Sequence, residues 1–130
     1  IYLGDSEKDI KDKVMKMYTD PNHIRVEDPG QVEGNVVFKY LDIFDPRTDE
    51  VAELKEHYSR GGLGDVKLKK RLNEVMQEFL RPIRERREEF AKDKAEVYNM
   101  LKAGSEKAES VAASTLDEVK DAMGINYFKK

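Results

Sequence analysis

An all-α fold, a bundle of five or six helices, is predicted by two features of the 130-residue sequence. Apolar residues recur at the spacing of one helix face over most of the chain. Glycine, proline and cap-type residues fall where that spacing stops. Ser6-Glu7-Lys8-Asp9 reads as a helix start with an acid three residues on. Ile10, Val14 and Met17 then share a face, and the helix stops near Tyr18-Thr19-Asp20-Pro21. A loop rich in proline and glycine follows, from Asp20 to Gly34, with a short extended middle at Ile24-Arg25-Val26. Asn35 caps a short apolar helix carrying Val36, Val37, Tyr40, Leu41 and Phe44, closed by Asp45-Pro46. Thr48 caps the next helix, which turns Val51, Leu54 and Tyr58 inward and ends at Gly61.

A long helix is expected from Asp65 towards Lys102, bent or broken near Pro82, because proline removes one backbone bond and clashes with the preceding turn. Gly104 should end it and Ser105 should cap a last helix, built on Ala108, Val111, Ala112, Leu116, Val119 and Met123. Ile1-Tyr2-Leu3-Gly4 reads as a short strand. The first residue is Ile rather than Met, which reads as a piece of a longer protein, with processing of a precursor as the alternative. A chain of this length buries about 65% of its unfolded surface and suffices for one core.

Composition excludes several function classes. There is no cysteine, hence no disulfide or thiolate metal site, which is compatible with a reducing cytoplasm. No apolar run approaches the roughly 18 residues of a membrane-spanning helix, and no signal peptide is visible. The net charge of −3 conceals an asymmetry. Residues 1–58 carry 8 basic and 14 acidic side chains, whereas residues 59–94 carry 11 and 7. A basic middle on an acidic body points to a local anion-binding face.

The segment Tyr58–Leu72, YSRGGLGDVKLKKRL, concentrates that charge. Gly61, Gly62 and Gly64 let another molecule approach the backbone. A fresh helix start at Asp65 offers N–H groups to an anion, and Lys67, Lys69, Lys70 and Arg71 follow within two turns, with Arg60 just before. A phosphate backbone fits such a junction. The structural alternative is a glycine C-cap, an aspartate N-cap and a solvated basic face. A second basic cluster, Arg81, Arg84, Arg86 and Arg87, alternates with Glu85, Glu88 and Glu89 and reads as a salt-bridged solvated face. Lys107 follows the expected helix start at Ser105, where a cation opposes the helix dipole and hints at another use.

His23 and His57 lie in different elements without partners at ligand spacing, so no metal site is expected. His23-Ile24-Arg25-Val26 lacks the glycine of a nucleotide-binding tetrad and is set aside. Tyr58 and Tyr98 are expected in the core, and Tyr2, Tyr127 and Phe128 at the exposed ends. No carboxylate pair sits in the apolar setting that acid–base work requires.

The strings MYTDPNHIR, GNVVFKYLDIF, YSRGGLGDVK, and GSEKAESVA with TLDEVKDAMG, in that order, resemble the C-terminal part of bacterial tryptophanyl-tRNA synthetases over almost the whole chain. Gly62-Leu63-Gly64-Asp65-Val66-Lys67 is similar to the family's Gly-aromatic-Gly-x-apolar-Lys turn, with Leu63 in the aromatic position. Gly104-Ser105-Glu106-Lys107-Ala108 is similar to its Gly-Ala-Glu-Lys-Ala helix start. Tyrosyl enzymes share parts of the second block, so the corresponding domain of a tyrosyl-tRNA synthetase is an alternative. The resemblance implies a linker segment over residues 1–34 and a helical anticodon-binding domain over residues 35–130. It also implies tRNA as partner and a homodimeric, cytoplasmic parent enzyme that charges tRNA with tryptophan using ATP; the fragment alone would be monomeric and inactive. The two adenylation signatures of that family, His-Ile-Gly-His-like and Lys-Met-Ser-Lys-Ser-like, are absent from this sequence, so ATP and tryptophan would bind elsewhere in the parent and this chain would hold no cofactor. Lys67 and Lys107 carry over as tRNA contacts with Gly62 and Gly64. Arg60, Lys69, Lys70 and Arg71 join them on charge and proximity. A helical protein–protein interaction module is the reading from another class.

Overall fold

In the computed structural model, which describes residues 1–127, five α-helices form in chain order: α1 (Glu7–Met15), α2 (Val36–Phe44), α3 (Thr48–Arg60), α4 (Asp65–Ala91) and α5 (Lys94–Ala122). Phe128 lies outside the described residues. The chain falls into two compact units, Ile1–Arg87 and Glu88–Lys130. Among the described residues no helix is long and apolar enough to cross a membrane.

The helices of the first unit start and stop for local reasons. Ser6 accepts from the Asp9 N–H while the Asp9 side chain accepts from the Ser6 N–H, a reciprocal cap on α1. Asn35 Oδ1 accepts from the Val37 N–H at 3.0 Å and starts α2. Arg47, not Thr48, occupies the cap position of α3, and it makes no side-chain cap bond. Gly61 ends α3 at φ +89° and ψ 161°, a region essentially restricted to glycine that costs a side-chain-bearing residue about 1–3 kcal/mol.

Among the described residues, all of the buried apolar side chains belong to this unit. Ile10 and Val14 of α1, Phe38 and Leu41 of α2, and Tyr58 of α3 meet Leu68 and Leu72 of α4 in one core. Each side chain of this size contributes roughly 1.5–3 kcal/mol when fully buried. Leu63, between the glycines, is 1% exposed and serves as a core residue.

Several expectations from the sequence are corrected. Ile1–Gly4 is no strand: Tyr2 and Asp5 close a turn, with the Asp5 N–H donating to the Tyr2 carbonyl at 3.1 Å. The middle of the 20–34 loop is likewise a turn, closed by the Asp28 N–H on the Arg25 carbonyl. Finally, α4 runs through Pro82 without a break and ends at Ala91, well short of Lys102. Contacts on both sides of Pro82 hold it: Leu80 is buried, Ile83 packs on the core, and Gln77 and Arg84 both bond to Glu7 of α1. That anchoring offsets the one backbone bond that proline lacks.

In the second unit α5 begins at Asp93, whose carboxylate accepts from the Glu96 N–H at 3.0 Å. It passes through Gly104 and Ser105 without interruption, so neither residue ends or starts a helix. No residue of α5 is buried. Tyr98 is 74% exposed, against the expectation of core packing, and Val111, Leu116, Val119 and Met123 are exposed as well.

Candidate functional site

The glycine-rich junction between α3 and α4 is built against the 20–34 loop. The Gly62 N–H donates to the Val26 carbonyl at 2.6 Å, and the Gly30 N–H donates to the Tyr58 carbonyl at 2.8 Å. A Cβ on Gly61 would collide with the Glu27 carbonyl, and one on Gly62 would lie 3.0 Å from His57 Nε2. Gly64 faces Val26 in the same way, at 3.2 Å. Close packing of two loops thus accounts for these glycines, and the Gly62 N–H is already engaged.

Asp65 stands at the centre of the junction but does not cap α4. Its carboxylate accepts from the Tyr58 hydroxyl at 2.8 Å and from the Thr19 hydroxyl at 3.1 Å. His23 Nδ1 lies 3.4 Å away, with the His23 side chain 2% exposed and its ring against Tyr58. Burial and then the bond to Asp65 push the Tyr58 hydroxyl well above its ordinary pKa, so it stays a donor. Asp20 ties the loop to itself by accepting from the Asn22 and Gln31 N–H groups, which hold its carboxyl below the ordinary value.

The cations expected to form the site separate into distinct roles. Arg71 Nε donates to Asp45 at 2.7 Å and its Nη2 to Glu50 at 2.7 Å. The Asp45 side chain is fully buried. Burial pushes its carboxyl up, but Arg71 and the backbone and side chain of Arg47 outweigh that and hold it below the ordinary value. Asp45 in turn raises the pKa of Arg71. The charge of Arg71 is therefore spent within the fold. Lys69 donates to the Met15 carbonyl at 3.2 Å and clips the end of α1. Lys67, Lys70 and Arg60 are exposed, and their side chains make no ion pair or hydrogen bond among the described residues. Lys107 is exposed in the interior of α5, in the second unit, so the dipole argument for a helix start does not apply to it. In the second basic cluster Arg84 reaches Glu7 at 3.2 Å; no described ion pair links Arg81, Arg84, Arg86 or Arg87 to Glu85, Glu88 or Glu89.

Lys67 and Lys70 line a groove of about 600 Å³ between α3 and the start of α4. Glu74 completes the α4 wall, and Glu53, Leu54 and His57 supply the α3 wall. The Arg71–Glu50 pair lines it as well. Glu53 and Glu74 carry no separate signal in the residue order, where His57 is considered only as a metal ligand. The spacing Glu50, Glu53, Leu54, His57 places all four on one face of α3, which was the available signal. Among the described residues no cluster of three or more potential ligands could hold a metal ion.

Comparison with known proteins bears on this arrangement. The family model described as tRNA synthetases class I (W and Y) matches residues 1–81. A protein named Tryptophan--tRNA ligase from Streptococcus agalactiae is 62% identical over 131 residues, covering 99% of this chain and 38% of its own length. One of the same name from Clostridium longisporum is 65% identical over 128 residues, covering 98% of this chain and 38% of its own length. The crystal structure of tryptophanyl-tRNA synthetase from Campylobacter jejuni superposes with a TM-score of 0.76 at 27% identity, over 95% of this chain and 39% of that one. A second structure of that enzyme, complexed with ADP and tryptophan, gives the same TM-score over 38% of its chain. The chain spans about 38% of the length of the curated relatives it matches. With five helices in place and a family model covering residues 1–81, the chain belongs to the class I tRNA synthetases of the tryptophan and tyrosine group.

Proposed function

We propose that this chain is the tRNA-binding, anticodon-contacting part of a tryptophan–tRNA ligase. The whole enzyme activates tryptophan with ATP and transfers it to tRNA in the cytoplasm; this chain contributes binding and no adenylation chemistry. The observation that carries the reading is the pair Lys67 and Lys70, exposed, unpaired and beside a groove, in a chain whose relatives are named tryptophan–tRNA ligases. Unpaired lysines at a helix start favour phosphate oxygens, and such contacts set the register of a bound nucleic acid. Arg60 and Lys107 are exposed cations that offer further contacts, Lys107 from α5. On this reading residues 35–130 act as the anticodon-binding domain and residues 1–34 as the connecting segment. ATP and tryptophan bind a part of the enzyme outside this sequence, and the whole enzyme is a homodimer.

A second reading, a helical module that binds another protein, is favoured by α5, which exposes Tyr98, Leu101, Val111 and Leu116. The two readings separate in an electrophoretic shift with tRNA against a neutral polymer. Retardation by tRNA at low salt supports the proposal; no shift at any salt removes it and leaves the protein-binding reading.

A further inference from the structure

No residue of the 29-residue helix α5 is buried. At 1.5 Å per residue the helix is about 43 Å long. Tyr98, Leu101, Val111, Leu116, Val119 and Met123 are all exposed along it. Contiguous apolar surface of this extent marks an interaction face rather than a solvated one.

Two properties of α5 say what covers that face. Its charge is divided along its length. Residues 94–107 carry Lys94, Lys102 and Lys107 against Glu96 and Glu106, net +1. Residues 108–122 carry Lys120 against Glu109, Asp117, Glu118 and Asp121, net −3. The second property is a seam on heptad spacing, from Tyr98 through Leu101, Ala108, Ala112 and Val119 to Ala122. Its bulk lies towards the two ends and its small residues lie in the middle.

We propose that α5 pairs in antiparallel with α5 of a second copy of this chain. Reversed, the net-positive half of each helix runs along the net-negative half of the other. Aligned in the same direction, the two acidic halves would face and repel each other. In the register that sets Leu101 against the partner's Val119, Ala108 meets the partner's Ala112 and Tyr98 meets the partner's Ala122. Leu116 then lies over the partner's Gly104, around which there is open space. Bulky side chains thus face small ones at both ends, and the helix axes keep an even separation. A two-fold contact of this kind is self-complementary and closes at a dimer. The pairing departs from the monomer that the family resemblance implies. It uses no residue of the α3–α4 groove, so it stands or falls apart from tRNA binding.

The test takes the full 130-residue chain, of 15.0 kDa, without tRNA. Sedimentation velocity across the micromolar range should show a species of twice that mass growing in as concentration rises. Leu101→Asp and Leu116→Asp each place a charge in the seam. Both residues are exposed in the single chain, so the variants should fold, which circular dichroism verifies. Each should raise the dissociation constant roughly tenfold or more. The chain has no cysteine, so an introduced thiol reports its neighbour. Leu101→Cys mixed with Val119→Cys should form a mixed disulfide on mild oxidation, whereas Leu101→Cys alone should not cross-link. A monomer at every concentration overturns the proposal and leaves α5 to a different partner. A dimer that both aspartate variants leave unchanged overturns it as well, as do thiols that cross-link only in the Leu101→Cys sample. None of these results touches the tRNA-binding reading.

Discussion

Arg71 and Lys67 lie four residues apart at the start of α4 and differ in what surrounds them. Arg71 is held by the fully buried Asp45 and by Glu50, whereas Lys67 is exposed and unpaired. Removing one partner of a buried pair leaves an uncompensated charge, which costs several kcal/mol. Because the Arg71 side chain is 19% exposed, we expect Arg71→Ala to lower stability by about 3 kcal/mol at neutral pH, towards the low end of that range, in urea denaturation. Lys67→Ala should change it by less than about 0.5 kcal/mol. The pH dependence follows from the carboxylate. In the wild type the Asp45 pKa is below its ordinary 3.8, so its contribution is complete above that value and declines as pH falls through the lowered one. In Arg71→Ala burial is opposed only by Arg47, so the protonated acid is more favoured than in the wild type. The difference between the two proteins should therefore shrink as pH falls below about 3.8. A difference that stays constant with pH would mean that Arg71 acts through Glu50 or through packing.

At the scale of elements, structure is legible in the residue order wherever a local signal carries the information. The caps at Ser6 and Asn35 and the stop at Gly61 depend on bonds within four residues and were visible in the residue order. The boundary between α4 and α5 was misplaced for physical reasons. The residue order points to a bend or break at Pro82 and a stop at Gly104, but tertiary anchors carry α4 past the first without a break, and α5 runs through the second. The true start, Asp93-Lys94-Ala95-Glu96, has an acid cap with a glutamate three residues on, a signal present in the sequence and overlooked. The glycine in α5 gives a direct check. A Cβ at Gly104 meets nothing within 4 Å, so Gly104→Ala should raise helix stability by about 1 kcal/mol in a circular dichroism melt. A loss of helicity would show that residue 104 leaves the helix, as the residue order alone suggested.

On the scale of the whole molecule, what the sequence could not reveal is which cations remain free. Lys67, Lys69, Lys70 and Arg71 are equivalent as a charge run. Folding brings Met15 to Lys69 and Asp45 to Arg71, contacts that span 54 and 26 residues, and so leaves Lys67 and Lys70 as the groove's cations without a described side-chain partner. The acidic wall opposite, from Glu53 to His57, becomes part of the same groove through the turn at Gly61. The junction is fixed from behind by the Tyr58–Asp65–Thr19 bonds, so the groove is formed before any partner arrives. A preformed site loses less to ordering on binding than a flexible one does.

The central claim, that this chain binds tRNA through the free cations at the start of α4, is tested most directly by titrating it with tRNA at several salt concentrations. Wild-type protein is compared with Lys67→Ala and Lys70→Ala, and with Lys16→Ala as an exposed control on the acidic part of the chain. Each phosphate contact releases roughly 0.7–0.9 of a counterion. The account predicts that both groove variants weaken binding and shallow the salt slope by about that amount, while Lys16→Ala does neither. Identical slopes and affinities for all four proteins would contradict it.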